Sequence, residues 1–592
     1  MSELELAGLR VVRGERGTHV SLRSVGEGVA EVLASAADGL PRVVVEVDLA
    51  DAIGYWSPRQ GASALPADWM PPTVTSVVSS APLGVLYNSA GDVLVGFAAS
   101  EAVAELSIRA GVSEERKAFV IDIEPSRPLP GELVVLVDCS GSEFGATISQ
   151  LSRWVSGRCE GRVADVPEVA RIPVYSTWYT FARDIDEDVV LSEASLAGEI
   201  GCGSVFIDDG WQRLASGRDY RGCGDWVPDE AKFSDLTRTV AALRDRDLSV
   251  ALWVAPLLLG DLSDTYPRLS RFAPHWSSEL SCHVMDPRHP EVRAHVTQTC
   301  LRLVRDYHVD LLKIDFLDQA MAYRDSATAG DQADVGQAMN QMLTDLRRGL
   351  GEIGRNEVAF EFRQPYVSPA IARYGQILRA NDCPGDAIVN RRSVIDLRLL
   401  AVGQVIHSDP LMWGLRGDQE AVAQQLYAAW FSVPQISMRL ESLPRVQFEV
   451  LRGLLRLWLD HSEVTQHGHL DTLGPEQGHL LVSATRADLQ RKVMVSYAPL
   501  TIDLDHRPVT ETSIINACRA SRIAVRTSRR ITTGVTRSAQ GKVIAAIPPC
   551  GPGLVDIAIP PFGSITVFTE TGRGTTQELR DAVKAAREAG PH

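Results

Sequence analysis

The 592-residue chain carries no cysteine framework. Its nine cysteines (Cys139, Cys159, Cys202, Cys223, Cys282, Cys300, Cys383, Cys518 and Cys550) are odd in number and scattered. No C-x-x-C and no Cys/His ligand spacing appears, so neither a disulfide scaffold nor a zinc site is supported. A basic excess is also missing. Fifty-nine Lys and Arg face 75 Asp and Glu, a net charge of −16, so nucleic acid and anionic membrane surfaces are disfavoured as partners. The longest apolar run, around Val250 to Leu259, is too short to span a bilayer. Met1-Ser-Glu-Leu-Glu-Leu has neither the basic start nor the apolar core of a signal peptide, and the cytoplasm is the default expectation. The phosphate-loop and dinucleotide fingerprints are missing too, since Gly201-Cys-Gly203 precedes a strand rather than following one. There is no G-x-S-x-G elbow. In His407-Ser408-Asp409 the three residues are adjacent, and neighbours cannot form a Ser/His/Asp relay. No cofactor is implied.

What is present is ordinary globular material, 45% apolar and 23% charged, in a chain too long for one core, so two to four domains are expected. From Leu9 to about Asp138 short alternating stretches such as Val43-Val-Val-Glu-Val-Asp48 and Leu133-Val-Val-Leu-Val137 are broken by Gly, Pro and Asp. That rhythm predicts an antiparallel β-sandwich, with a connecting helix over Gln150–Cys159. From about Ile172 to Gly468 strand-like runs alternate with longer amphipathic stretches. Eight strands are read: Val174–Trp178, Val205–Asp209, Val250–Val254, Leu311–Asp315, Val358–Glu361, Ile377–Asn381, Val405–His407 and Gln435–Met438. Helices are expected over Asp188–Ile200, Pro290–Tyr307, Gln337–Ile353 and Val446–His461, which together predict a (β/α)8 barrel. Alternating β character returns after Gly474. The reading is a multidomain α/β chain: an N-terminal β-sandwich (1–165), a central TIM barrel (166–474), a C-terminal antiparallel β-domain (475–572) and a helical tail (573–592).

Three of the apolar runs end at acids: Val205-Phe-Ile-Asp208-Asp209-Gly210-Trp211, Leu311-Leu-Lys313-Ile-Asp315 and Gln376-Ile-Leu-Arg379-Ala-Asn381-Asp382. A continuously apolar strand is buried on both faces, so packing does not explain an acid where it leaves the core. In a parallel barrel those strand ends are where substrates react. Lys313 lies two positions before Asp315, on the same side of the strand, and a neighbouring lysine holds an aspartate ionised. Pro384 and Gly385 turn the chain after Asp382, so that Asp382 and Asp386 can both face the pocket; the alternative for Asp386 is a helix cap. Carboxyls from two strands suit glycoside hydrolysis, one attacking the anomeric carbon and one protonating the leaving oxygen. Asp208 and Asp209 can grip sugar hydroxyls, with Trp211 stacking on the ring. A metal is disfavoured there because no His or further acid stands at ligand spacing. Trp178, Trp253, Trp226 and Trp413 follow strands or lie in their loops, as a carbohydrate platform would require or as core would.

These pieces, in this order, resemble the melibiase-like α-galactosidases and raffinose synthases of glycoside hydrolase family 36, clan D. The resemblance covers about residues 172–470. It is strongest in FIDDGWQ at 206–212 and continues in Gly224-Asp-Trp226, Lys313-Ile-Asp315 and the Asp after the sixth strand. It implies a retaining α-glycosidase acting on α-galactosides by double displacement, without cofactor, with Asp315 as nucleophile, Asp382 as acid/base and Asp208 and Asp209 as the sugar-binding pair. Lys313, Arg363, Arg379, Asp386 and His407 join Trp178, Trp211 and Trp253 in the expected substrate-binding set. The expected partner is a small oligosaccharide or glycoside; self-association stays open. The chain departs from the family pattern in places. Ile314 stands where a Trp is usual, and no Asn follows closely after Asp315. Glu361-Phe-Arg363-Gln-Pro-Tyr366 replaces a Gly-rich loop, and Leu252-Trp-Val-Ala-Pro256 lacks the Glu common in typical members. Transglycosylation, a related sugar (an N-acetylgalactosaminide or β-L-arabinopyranoside) and a non-catalytic sugar-binding relic are the alternatives.

Overall fold

The computed structural model describes residues 4–6, 9–14, 17–37, 39–327 and 330–570. The helical tail expected at 573–592 lies outside the described residues.

The eight expected barrel strands are all present: β1 (Val174–Ser176), β2 (Ser204–Ile207), β3 (Ser249–Val254), β4 (Leu311–Ile314), β5 (Ala359–Arg363), β6 (Ile377–Arg379), β7 (Val405–His407) and β8 (Gln435–Ile436). Each pairs in parallel with its sequence neighbour from β1 to β7, and β8 returns beside β1. Parallel bridges His407–Val433 and Leu411–Ile436 close the ring between β7 and β8. Every residue of β2 and β4 is buried, as strands covered on both faces must be. Helices Glu187–Ile200, Leu236–Arg244, Pro290–Tyr307, Val335–Glu352, Ala387–Leu400, Gln419–Ala428 and Arg445–His467 surround it. Between β5 and β6 a 3₁₀ turn, Pro369–Arg373, takes the place of a helix.

The acids stand one to three positions beyond the last strand residue. β2 ends at Ile207, β4 at Ile314 and β6 at Arg379, so Asp208, Asp315 and Asp382 sit just beyond the ladder, where the backbone is released. β1 also ends early, and Trp178 opens a short helix, Trp178–Phe181.

Two sheets, of six and seven strands, stack before the barrel, with Val45, Phe97, Phe119, Ile121 and Val135 between them. The helix Phe144–Arg158 follows. Behind the barrel lie a seven-stranded and a three-stranded sheet around Ile502, Ile514, Val525 and Ile565. They are mixed rather than wholly antiparallel: Arg491–Ser496 runs parallel to Glu511–Asn516, and Thr501–Asp503 to Arg522–Thr527. The first sandwich reaches the barrel mouth. Trp56 Nε1 donates to Asp396 Oδ1 at 2.8 Å, Arg392 Nη2 donates to the carbonyls of Gln60 and Ala62 at 2.9 Å, and the Ser80 amide donates to the Pro365 carbonyl at 2.7 Å. No helix among the described residues is long and apolar enough to cross a membrane.

Candidate active site

Register decides which polar side chains meet. Trp253 is level with Lys313, and Lys313 with Glu361; one step up, Arg363 is level with Arg379, and Arg379 with His407. Side chains two apart on a strand share a face, so Lys313 and Asp315, like Glu361 and Arg363, point the same way. The result is a stack of buried ionisable groups in the barrel throat.

Asp315 lies at its centre, 8% exposed. Its Oδ1 accepts from Arg363 Nε, from the Phe316 amide at 2.8 Å and from the Tyr366 hydroxyl at 3.4 Å. Phe316 reaches that position in the left-handed region, φ +56°, uncommon for a bulky residue. Among the described residues, Oδ2 accepts only from Trp253 Nε1, at 3.0 Å. Burial pushes the carboxyl up, but Arg363, Lys313 and Arg379 outweigh it and hold Asp315 well below the usual carboxylate range. Lys313 does this from a distance, since its own ion pair is with Asp208 Oδ2 at 2.6 Å.

Asp382 is different. Its side chain is 52% exposed and bonds Arg379 Nη1 at 2.9 Å. Burial raises it, and Arg379 more than compensates, so the carboxyl lies below its ordinary value despite repulsion from Asp315. Arg379 is buried and divides its charge: the same Nη1 bonds Asp409 Oδ1 at 2.6 Å, while Nε faces Glu361 Oε1 at 3.7 Å. His407 is buried below, Nε2 against the Ala170 carbonyl at 2.8 Å and Nδ1 against Glu361 Oε2 at 2.9 Å. It braces the throat and does not reach the mouth.

The acids after β2 are turned into protein. Asp208 Oδ1 accepts from the Asp209 amide at 2.9 Å, and its Oδ2 from Lys313. Asp209 Oδ2 pairs with Arg183 at 2.8 Å and Oδ1 accepts from Gln212 Nε2 at 2.7 Å. Gly210, at φ +125°, passes so close to Arg183 that a Cβ there would meet its Cα at 2.6 Å, and only glycine takes both the angle and the gap. Trp211 has no exposed face. It lies in the core with Nε1 donating to the Trp253 carbonyl at 2.9 Å. Trp253 and Trp226 are equally buried, 5.6 Å apart, so Trp253 acts on Asp315 through its N–H and offers no stacking face. Of the tryptophans in the expected binding set, Trp178 alone is partly open. Asp386 caps the helix Ala387–Leu400, accepting from the Ile388 and Val389 amides at 3.0 Å.

A cavity of about 690 Å³ opens over Asp382, within the range of ligand sites. Arg363, Phe316, Asp318 and Asn381 line its barrel side, and Pro58–Gly61 of the first sandwich lines its far side. Arg363 both lines the cavity and pairs with Asp315, and it is steadied by Asn381 Oδ1 at 3.0 Å. Sequence reading overlooked the Pro58–Gly61 hairpin, Tyr179, Arg183 and Tyr366. Pro58–Gly61 belongs to another domain, and Tyr179, beside Trp178, and Tyr366, in the loop after Arg363, give no local signal because a tyrosine at a strand exit reads alike whether it bonds a carboxylate or packs in the core.

In the solved structures the same three-part architecture recurs. A variant of the family 36 α-galactosidase AgaA from Geobacillus stearothermophilus, in complex with stachyose, superposes with a TM-score of 0.62 at 13% identity, covering 94% of this chain and 87% of that one. The fold is that of the family 36 α-galactosidases. An α-galactosidase from Lactobacillus brevis gives a TM-score of 0.58 at 13% identity, over 97% of this chain and 85% of its own. Among curated proteins, the probable α-galactosidase C of Aspergillus flavus is 26% identical over 163 residues, 26% of this chain. The match spans 21% of that relative's length. No protein-family model matches the chain.

Proposed function

We propose that this protein is a retaining α-glycoside hydrolase acting on α-galactosides, with Asp315 as nucleophile and Asp382 as acid/base. The observation that carries the reading is the unequal solvation of the two Asp315 oxygens. Among the described residues, Oδ1 is crowded by three donors, whereas Oδ2 has only the Trp253 indole. A carboxylate oxygen has two lone pairs, so Oδ2 keeps one for the anomeric carbon while the donors on Oδ1 hold the group ionised and aimed. Attack expels the leaving oxygen as Asp382 protonates it; Asp382 then takes a proton from water, which releases the sugar with its configuration retained. In the free protein Arg379 favours the charged form of Asp382, and substrate covering its open side favours the proton by desolvation.

The galactose assignment draws on those relatives that are α-galactosidases by name. Asp208 is the acid nearest the nucleophile's lysine, and we assign it to the sugar's distal hydroxyls through Lys313. The cavity's extension to Pro58–Gly61 suits an oligosaccharide leaving group, and AgaA's complex with stachyose supports a sugar of that size. The nine free cysteines favour a reducing, cytoplasmic setting. The decisive experiment follows aryl α-galactoside hydrolysis by proton NMR. α-Galactose appearing first supports double displacement, and β-galactose first overturns it. Asp315→Ala should be inactive and regain turnover with azide, giving the β-galactosyl azide.

A further inference from the structure

His407-Ser408-Asp409 cannot form a nucleophilic relay, yet Asp409 is fully buried and stands beside the acid/base. Four elements converge on it. Arg379 Nη1, from β6, bonds its Oδ1 at 2.6 Å. The Tyr179 hydroxyl, beyond β1, donates to Oδ2 at 2.9 Å. The Cys383 amide, next to Asp382, donates to Oδ2 at 2.8 Å. Asn390, from the helix after β6, accepts from the Asp409 amide at 3.2 Å. Besides Asp409, whose carboxyl Asp382 pushes up, the charged groups acting on Asp382 are Arg379, Asp315, Lys313 and Arg363.

We propose that Asp409 is a positioning residue that sets the protonation of Asp382 through the Arg379 guanidinium the two carboxylates share. This rests on the reading of Asp382 as acid/base. One guanidinium nitrogen touches both acids, so two negative charges compete for a single cation whose other side faces Glu361. The second of the two acids to ionise does so against the charge of the first, and such a pair titrates as a unit, holding one proton above the range of a lone aspartate. With Asp409 ionised, part of Arg379's charge is drawn inward and Asp382 can keep a proton. With Asp409 neutral, Arg379 belongs to Asp382 and holds it ionised, useless as an acid. Burial accounts for which member holds the proton in the free protein: it pushes Asp409 up to about 6 even against Arg379, while half-exposed Asp382 stays low. A substrate seated over Asp382 removes that exposure and with it the difference.

The test is the pH profile of kcat/KM on an aryl α-galactoside, whose alkaline limb reports the acid in the free enzyme. Asp409→Asn removes the competing charge, so the limb should move to lower pH by about one unit or more, with activity better retained on substrates that need little protonation. Tyr179→Phe removes a donor to ionised Asp409, makes its ionisation harder, and should move the limb the other way by a smaller amount. Opposite shifts cannot come from general damage to the mouth. An unmoved limb in Asp409→Asn, or both variants shifting alike, overturns the proposal; should Asp409→Asn not fold, an unmoved or lowered limb in Tyr179→Phe does so. The parent reading has its own control. If Asp382→Ala keeps the wild-type alkaline limb and leaving-group dependence, Asp382 is not the acid. If Asp382→Ala loses both while Asp409→Asn shifts nothing, only the role of Asp409 falls.

Discussion

Two pairs of acids leave this barrel from similar stretches of sequence and end in opposite states. Asp208 and Asp209 follow β2, and Asp315 and Asp382 follow β4 and β6. In the first pair burial is the largest influence and the cations beside it do not offset it, so both carboxyls are raised. In the second the cations win and both are lowered. The oxygens of Asp209 are taken by Arg183 and Gln212, which fastens the 210–219 loop to the barrel. Asp382 keeps half its side chain in the open cavity. An acid at the end of a buried strand is therefore a candidate only; whether the cations around it outweigh its burial is what separates the two pairs.

That contrast can be broken most decisively at Asp315. Asp315→Ala should lower kcat by on the order of 10⁴-fold or more; steady-state assays with and without azide check it, and near wild-type turnover would place the nucleophile elsewhere. Asp209→Ala should do the reverse. Buried without its counter-ion, the Arg183 cation should cost about 3–5 kcal/mol of stability, read by chemical denaturation, while the ratio of galactoside to glucoside kcat/KM stays near wild type. A stable variant with a collapsed ratio would return Asp209 to the sugar. Asp208→Asn tests the intermediate case, since its Lys313 partner belongs to the nucleophile's strand: galactose over glucose discrimination should narrow, with some loss of turnover.

Trp253→Phe removes the indole donor on Asp315 Oδ2. A hydrogen bond to a charged group is worth about 1.5–3 kcal/mol, so kcat/KM should fall about ten- to a hundredfold. Because that bond lowers the Asp315 pKa, its loss raises it, and the acidic limb of the pH profile should move to higher pH. A limb that stays put would separate Trp253 from the nucleophile. The smallest effect belongs to Asp386. Asp386→Ala should cost about 1 kcal/mol as a lost N-cap, with kcat/KM within about twofold; a larger kinetic loss would make it a ligand-binding residue.

Much of the barrel is legible in one dimension. β2, β3 and β4 announce themselves by unbroken apolar runs, and Pro290–Tyr307 by its periodicity, because a strand or helix buried along its length needs apolar residues at spacings set by its own geometry. The carboxylates were legible for the same reason, as charges where such a run stops. Trp211 and Trp253 were not legible as core, since an aromatic beside a strand end reads alike whether it faces a ring or the interior. The helix missing between β5 and β6, and the parallel pairings in the C-terminal sheets, follow from packing between distant segments.

By itself the sequence determined the order of strands and helices, the closure into a parallel barrel that this order favours, and the set of acids available at its mouth. These depend on near neighbours along the chain and on whether each run is buried. The tertiary structure alone decided which acid keeps an open side, which cation neutralises it, that Arg379 serves both Asp382 and Asp409, and that a hairpin at Pro58–Gly61 walls the cavity. The charge state of a carboxylate is set by whatever lies within a few ångströms of it, and here those groups come from positions tens to hundreds of residues away.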